Sequence, residues 1–340
     1  MAIVFAAGGT GGHLIPAITV AREISDKVFF FISSKEIDKK ILANTPYDFL
    51  ALPLEPGSGV LSWLRSILLA TKILTELKPR VVVGFGGFVS VVPVLVAKLL
   101  CIRTLIFEAE LSLGKANRFL SIFVDRILVV NENVSKLSKA IPVGYPVRSE
   151  FFKELKRDNL EFTVFVMGGS QGSSFFDATV SKILANCEKV KIIYHQCRRD
   201  NLEHVKETYA KTDKKFVVSE FFVAPWEVML KSDVIISRAG AGSIYEIFAS
   251  QKKFVLVPFP FAASNHQKKN AEWLVKKTNK GIIIEENDPE FEKKLLDFIE
   301  NSIIGINSSE NLEVETTEFL QVLKSSAKVT ADIICQEKTF

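Results

Sequence analysis

Ala2-Ile3-Val4-Phe5-Ala6-Ala7 runs into Gly8-Gly9-Thr10-Gly11-Gly12-His13, and Phe162-Thr163-Val164-Phe165-Val166-Met167 runs into Gly168-Gly169-Ser170-Gln171-Gly172. Each stretch is a short apolar strand, a Gly-Gly-(Ser/Thr)-x-Gly turn and then a segment of helical spacing. The two lie about one domain length apart. Two doubly wound α/β domains, each opening with a glycine-rich strand-to-helix turn, account for the repeat.

Working outward, short β-branched and aromatic runs alternate with helix-length segments. Strands are expected at Ala2–Ala7, Val28–Ile32, Arg80–Gly84, Arg103–Phe107 and Arg126–Val130 in the first half. In the second half they are expected at Phe162–Met167, Lys191–His195, Lys215–Phe221, Asp233–Ser237, Phe254–Pro258 and Gly281–Ile284. Ile15–Ser25 and Leu61–Leu77 have helical length and spacing. This alternation predicts parallel sheets covered by helices on both faces. Pro142, Gly144 and Pro146 punctuate the chain before a charged stretch, so the expected division is 1–147, 148–320 and a last segment 321–340. Within that tail Ser308-Ser309-Glu310-Asn311 has the composition of a loop and Ser325–Ile334 that of a helix, which can pack back on the first domain.

The 340 residues are 48% hydrophobic, enough for two sizeable cores. A formal charge of +4 is too mild to indicate nucleic acid; an anionic substrate or an anionic membrane suits it equally. Cys101, Cys187, Cys197 and Cys335 are scattered without a Cys-x-x-Cys pair, which points to neither a disulfide framework nor a zinc site and fits a reducing compartment. The amino terminus lacks the basic stretch of a signal peptide. The longest apolar stretch, Val91 to Ile102, is interrupted by Pro93 and Lys98 and is too short to span a bilayer. A soluble or peripheral protein is expected.

Glycines after a sheet strand let backbone approach a ligand, and the helix start behind them favours anions; they also serve simply to make a tight turn. Neither turn ends in Gly-Lys-(Ser/Thr), so neither is a P-loop, and Leu14 stands where a dinucleotide fingerprint needs its third glycine. His13 directly follows the first turn, at the carboxyl end of the first strand, where an imidazole suits general-base work. Ser237-Arg238-Ala239-Gly240-Ala241-Gly242-Ser243-Ile244-Tyr245-Glu246 forms another strand, glycine loop and helix start. There Ser243 with Glu246 fits a capping box, while the loop amides suit phosphate and Glu246 suits a ribose diol. Pro258–Asn270 supplies Asn265, His266, Gln267 and Asn270, neutral partners for sugar hydroxyls. The chain contains no Asp-x-Asp pair, which favours a leaving diphosphate held by amides and a helix dipole, with no metal and no cofactor.

On the helix 61–77, Leu61, Leu64, Ile67 and Leu68 make one apolar stripe expected to dock on the sheet. Leu69 and Ile73 then fall on the other side beside Arg65 and Lys72. A helix buried on both sides or scattered surface apolars would account for them, but with their basic neighbours they are expected to form a patch that rests on anionic lipid.

With these motifs in order, the chain resembles the MurG family, bacterial N-acetylglucosaminyltransferases that convert lipid I to lipid II. The carriers are Gly8–His13, Gly84-Phe85-Gly86-Gly87-Phe88-Val89-Ser90, Gly144-Tyr145-Pro146-Val147-Arg148, Gly168–Gly172, Ser237–Glu246 and Pro258–Asn270. The resemblance spans Gly8 to about Ile334. It implies the GT-B fold, two Rossmann-like domains with a cleft between them, and an inverting, metal-independent transfer from UDP-N-acetylglucosamine to the C4 hydroxyl of lipid-linked N-acetylmuramic acid. It implies that Ser170 and Arg148 meet the diphosphate, and that Phe222 lies beside the uracil through its main chain. Ala241, Gly242, Ser243, Ile244, Tyr245 and Glu246 would hold phosphate and ribose, and Gln267 the sugar. Thr10, Gly11 and Gly12 would line the first domain's side, with His13 or Glu108 assisting deprotonation.

The resemblance further implies a place on the cytoplasmic face of the inner membrane, a role in peptidoglycan synthesis, cell shape and division, and cell-wall or division proteins as partners. This chain departs from the family where Phe107-Glu108-Ala109-Glu110 replaces His-Glu-Gln-Asn, placing Glu110 at a ligand-contacting asparagine, and where Phe88 replaces a common tyrosine. Two rival readings are a UDP-sugar epimerase of the same architecture and a degenerate UDP-sugar-binding module without turnover.

Overall fold

A computed structural model describes residues 2–110, 113–130, 137–153, 155, 161–169, 172–262, 265–304 and 314–336. The chain forms two compact units, Met1–Arg148 with Val322–Phe340, and Ser149–Gln321. Ser170 and the loop around Ser308–Asn311 lie outside the described residues.

In the first unit the strands are β1 (Ala2–Ala6), β2 (Lys27–Ser33), β3 (Asp48–Leu52), β4 (Val81–Gly84), β5 (Arg103–Glu108), β6 (Arg126–Val129) and β7 (Ala140–Pro142). They form one parallel seven-stranded sheet in the order β3-β2-β1-β4-β5-β6-β7. In the second unit β8 (Thr163–Met167), β9 (Ile192–Gln196), β10 (Lys215–Ser219), β11 (Val234–Ser237), β12 (Lys253–Leu256) and β13 (Gly281–Ile283) form a parallel sheet in the order β10-β9-β8-β11-β12-β13. Both are doubly wound. The strand order reverses between β1 and β4 in one unit and between β8 and β11 in the other. The glycine turns leave the carboxyl ends of those strands, at the switch points where open α/β sheets bind ligands.

Continuous burial on both faces explains why the central strands are apolar runs rather than alternating ones. Ile3, Val4, Phe5 and Ala6 are all inaccessible. Val4 and Ala6 join Phe31, Val82, Ile106 and Val129 on one side; Phe5 stacks on Phe30 and Phe85 on the other, and Phe85 on Phe107. Val164, Val166, Ile193, Ile236 and Val255 play the same part in the second unit. Two strands were not expected from sequence. β3 is an edge strand with mixed, half-exposed residues, and β7 is a three-residue edge containing Pro142. Edge strands are buried on less of their surface and so carry a weaker apolar signal.

Helix α1 (Gly11–Ala21) begins four residues before the expected Ile15, taking the last two glycines of the turn and His13 into its first turn. Helix α2 (Glu36–Ala43) follows β2. Helix α3 (Val60–Leu77) has the expected span but the opposite orientation. Leu61, Leu64, Ile67 and Leu68 do not dock on the sheet; they are 80%, 53%, 40% and 70% exposed. Leu69 and Ile73 instead pack on the core with Trp63 and Leu77, beside buried Ser66, Ala70 and Leu74. The buried stripe is centred on small residues, Ser66 and Ala70, which permit close packing but add little to an apolar pattern.

The helix Val314–Gln336 passes from the second unit into the first. There Ser326 donates its hydroxyl hydrogen bond to the Tyr145 carbonyl. Gly144, at φ +72°, leaves room for Val322, whose Cγ1 lies 3.0 Å from where a Cβ would sit. All four cysteines are free.

Candidate active site

The first cluster stands at the end of β1. Gly8 carries no side chain because a Cβ would lie 2.7 Å from Asp38 Oδ2 and 2.7 Å from the Ser33 amide. The Gly9 amide donates to Asp38 Oδ2 at 2.7 Å, and the Ser33 hydroxyl donates to the same oxygen at 2.5 Å. Lys35 Nζ donates to the Gly9 carbonyl at 2.8 Å. The turn is therefore bound from below by β2 and the start of α2. Thr10 is the N-cap residue of α1, but its hydroxyl makes no capping bond; it faces His13 Nδ1 at 3.1 Å. The amides of Gly11 and Gly12 open the helix and have no carbonyl four residues earlier within it.

His13 Nδ1 also lies 3.3 Å from the Gly8 carbonyl. A carbonyl oxygen can only accept, so a bond here needs the tautomer with the proton on Nδ1 and the lone pair on Nε2, in which the Thr10 hydroxyl accepts as well. The imidazole lies flat against the turn after β4. A Cβ on Gly86 would be 2.9 Å from its Cδ2, and one on Gly87 would be 3.2 Å from its Nδ1 and 2.5 Å from the Gly8 carbonyl. Both glycines have positive φ, +93° and +77°. The Gly84–Ser90 motif thus gives His13 a wall of bare backbone. Burial pushes the His13 pKa below its usual 6.5, against the opposing pull of the Gly8 carbonyl, Glu110 and Asp38. The ring is neutral at neutral pH, the state a general base requires.

Glu108 ends β5 and is buried. Its Oε1 accepts from the Glu110 amide at 3.0 Å, and its Oε2 from the Gly114 amide at 2.8 Å and Asn117 Nδ2 at 3.0 Å. Burial raises its pKa, while those donors pull it down. Both oxygens are engaged by groups that follow β5, and Asn117 Nδ2 also donates to the Phe107 carbonyl of β5 at 2.9 Å. Of the two candidate bases, Glu108 has both oxygens held by local donors, whereas His13 Nε2 has no bond to another described residue. Glu110 stands close enough to His13 to raise its pKa.

The second cluster lies at the ends of β8, β11 and β12. Gly168 is forced: a Cβ would meet Gly172 C and the Ser173 amide at 2.6 Å. Gln196 Nε2 holds the Gly169 carbonyl at 3.1 Å. After β11, Arg238 is a buried hub. Its Nη1 donates to the Val257 carbonyl at 3.1 Å, its Nη2 to Ser173 Oγ at 2.7 Å and to Glu286, and its guanidinium lies 4.8 Å from the Phe176 ring centroid. One cation thereby ties the glycine turn, the end of β12 and the loop after β13.

The helix Ala241–Ser250 follows with Gly240 as its N-cap, so the expected Ser243–Glu246 capping box does not form. Ser243 is already the third helical residue, because the glycine before the helix takes the cap position that the serine was expected to fill. The Ala241, Gly242 and Ser243 amides open this helix. Ile244 and Tyr245 are buried, Tyr245 against Trp273, and the Ile244 amide is already bonded to the Gly240 carbonyl at 3.1 Å. Glu246 is buried one turn further in. Gln267 Oε1 accepts from the Phe259 amide at 2.9 Å, so its amide group is the part available to a sugar. Asn270 Nδ2 braces the Ala239 carbonyl at 3.0 Å. Phe222 packs its ring on Phe165 and Tyr194. Arg148, the last residue before the chain enters the second unit, is buried.

Sequence reasoning missed Asp38, Asn117 and Arg238 as organisers of these clusters. Arg238 carried a signal, a charge at the end of an apolar strand. Asp38 carried none, since Ser33–Lys40 has the composition of a solvated helix start.

Comparison with known proteins places these clusters in context. Residues 3–129 match the glycosyltransferase family 28 N-terminal domain and residues 163–326 its C-terminal domain. The chain is 32% identical over 340 residues to the UDP-N-acetylglucosamine–N-acetylmuramyl-(pentapeptide) pyrophosphoryl-undecaprenol N-acetylglucosamine transferase of Rickettsia felis, covering 91% of this chain and 94% of that one. The protein of the same name from Syntrophus aciditrophicus is 34% identical over 325 residues, covering 88% and 89%.

Among solved structures, MurG of Acinetobacter baumannii superposes with a TM-score of 0.71 at 23% identity, covering 98% of this chain and 99% of that one. UDP-GlcNAc 2-epimerase of Neisseria meningitidis superposes at 0.65 with 12% identity, covering 99% and 100%. Those two likenesses carry the fold, and the two doubly wound units are those of GT-B glycosyltransferases. The likeness to the epimerase goes no further than fold, whereas the sequence relatives bear a transferase name.

Proposed function

The chain belongs to the MurG family of N-acetylglucosaminyltransferases, and on that premise we propose that it transfers N-acetylglucosamine from UDP-N-acetylglucosamine to the C4 hydroxyl of N-acetylmuramic acid in lipid I, forming lipid II. The observation that carries the chemistry is His13, kept neutral by burial with its Nδ1 against the Gly8 carbonyl, which in the Nδ1–H tautomer leaves the lone pair on Nε2. Nε2 takes the proton of the acceptor hydroxyl as its oxygen attacks the anomeric carbon. The new C–O bond forms as the bond to the β-phosphate breaks, and UDP carries that electron pair away. Inversion at the anomeric carbon and independence from metal follow the family reading.

The donor is assigned to the second unit. Ala241, Gly242 and Ser243 offer helix-start amides to phosphate, Glu246 accepts from the ribose, and the Gln267 amide donates to the sugar. Ser170 and Arg148 are assigned to the diphosphate, Phe222 to the uracil through its main chain, and Thr10, Gly11, Gly12 and Glu110 to the acceptor side. The same reading makes the protein peripheral on an anionic inner-membrane surface. Among the described residues no helix is long and apolar enough to cross a membrane. Its contact is the exposed stripe of α3, Val60, Leu61, Leu64, Ile67 and Leu68, with Arg65 beside it. Cell-wall or division proteins are further partners under this reading.

The test is turnover of lipid I with labelled UDP-N-acetylglucosamine by wild type and His13→Ala. A positioned base contributes about 10²–10⁴ in rate. A loss of that size with unchanged donor affinity is expected. No turnover by the wild type would make the chain a sugar-nucleotide-binding module; full turnover by the variant would pass the base role to another group.

A further inference from the structure

Asp38 lies outside every motif that carries the family resemblance, yet it is completely buried and aimed at the glycine turn. Its Oδ2 accepts from the Gly9 amide at 2.7 Å. The carbonyl of the same peptide group, that of Gly8, lies 3.3 Å from His13 Nδ1 and accepts from it in the Nδ1–H tautomer. In a trans peptide the N–H and C=O point to opposite sides, so the carboxylate and the imidazole address one peptide plane from opposite edges. We infer that Asp38, the Gly8–Gly9 peptide and His13 form a relay in which the carboxylate orients and polarises the peptide that holds the imidazole. It corresponds to the carboxylate–imidazole pair of a hydrolase triad with one peptide unit inserted.

Three further features support the relay. First, the place of a Gly8 Cβ is taken by Asp38 Oδ2 and the Ser33 amide at 2.7 Å, so no other residue fits the turn in this position. Second, Ser33 donates to Oδ2 at 2.5 Å, which fixes the rotamer of the carboxylate. Third, Asp38 Oδ1 is buried with no hydrogen-bond partner among the described residues. Leaving a carboxylate oxygen unsatisfied in the interior is costly.

Hydrogen bonds in series strengthen one another in a medium of low dielectric. A carboxylate pulling on the Gly9 N–H makes the Gly8 oxygen a better acceptor. That oxygen in turn holds the Nδ1 proton more firmly and makes Nε2 a stronger base. Asp38 is thus a positioning residue, acting through the peptide. The charged groups that face His13 are Glu110 from the loop after β5, Asp38 from α2 and Lys35 at the start of α2.

The inference rests on His13 being the base, and its test separates the two. Asp38→Asn keeps an acceptor of the same shape for the Gly9 amide and removes the charge. Expected are a roughly tenfold fall in kcat, a shift of the acid limb of kcat/KM to lower pH, and an unchanged KM for UDP-N-acetylglucosamine. A merely structural Asp38 would lower thermal stability and leave the limb where it was. If His13→Ala loses turnover while Asp38→Asn keeps wild-type kcat and acid limb, the relay is refuted and the base stands. If His13→Ala retains turnover, the base assignment itself fails.

Should Asp38→Asn not fold, NMR on the wild type decides. The Gly9 amide shift should follow the titration of His13 with the same midpoint. A Gly9 amide indifferent to that titration overturns the relay.

Discussion

Helix α3 offers a contrast within one element: two pairs of large aliphatic residues, similar in sequence, face opposite environments. Leu61 and Leu68 are 80% and 70% exposed, while Leu69 and Ile73 pack on the core of the first unit. Full burial of a leucine side chain is worth about 1.5–3 kcal/mol. With about three quarters of each surface still open to water, Leu61 and Leu68 can together yield about 3 kcal/mol on entering a lipid interface. Replacing both by glutamate removes that gain and sets two carboxylates against anionic headgroups, at about 1 kcal/mol each. The sum of about 5 kcal/mol corresponds to more than about a 10³-fold loss of vesicle affinity.

Neither side chain supports the core, so stability should change by no more than about 0.5 kcal/mol. Leu69→Glu with Ile73→Glu should behave in the opposite way, with a large loss of thermal stability from two carboxylates forced against the core. The assay is sedimentation with vesicles of anionic and of zwitterionic lipid, run beside thermal melting and UDP-N-acetylglucosamine binding. Unchanged sedimentation of Leu61→Glu with Leu68→Glu would refute α3 as the membrane contact.

Four other outcomes follow. Because burial lowers the His13 pKa, the neutral base persists to more acidic pH than a free imidazole, and the acid limb of kcat/KM should have its midpoint below 6.5. The same burial lowers His195. Both histidines therefore take up protons more readily unfolded than folded, so thermal stability should be full above pH 6.5 and fall as the pH drops beneath it. Glu246→Ala should weaken UDP-sugar binding by about 1–3 kcal/mol through a lost buried hydrogen bond; unchanged affinity in a folded variant would confine Glu246 to a structural role. Turnover should survive EDTA, and a complete loss restored by one divalent ion would overturn leaving-group stabilisation by amides and helix starts.

The glycine turns were legible because they sit at the point where local and global constraints coincide. A parallel strand buried on both faces must be apolar, and the turn at its end must let backbone approach backbone. Gly8 and Gly168 meet neighbouring atoms at 2.7 and 2.6 Å from an imagined Cβ, so the sequence has no freedom there. The edges of the sheets had that freedom, and β3 and β7 went unseen. The face of α3 was misjudged because packing follows shape as well as hydropathy. Ser66 and Ala70 bury where a helix can approach closely, while the larger leucines beside them remain outside. The Ser243–Glu246 spacing satisfied a capping rule, but Gly240 starts the helix earlier and removes the geometry the rule needs.

What sequence could not supply was the layer that holds the reactive groups in place. Asp38, Asn117 and Arg238 each reach across a long stretch of chain to a backbone carbonyl or amide: Gly9, Phe107 and Val257. Only Arg238 stood inside a motif. Such braces leave no periodicity and need no fixed spacing, since the partner is a peptide group that any residue would provide. Their position is set by topology: α2 returns to β1 only because β2 lies beside it in the sheet. The contacts that tie Asp38 to the Gly8–Gly9 peptide and that peptide to His13 are accordingly written at scattered positions, and no local pattern would have selected Asp38.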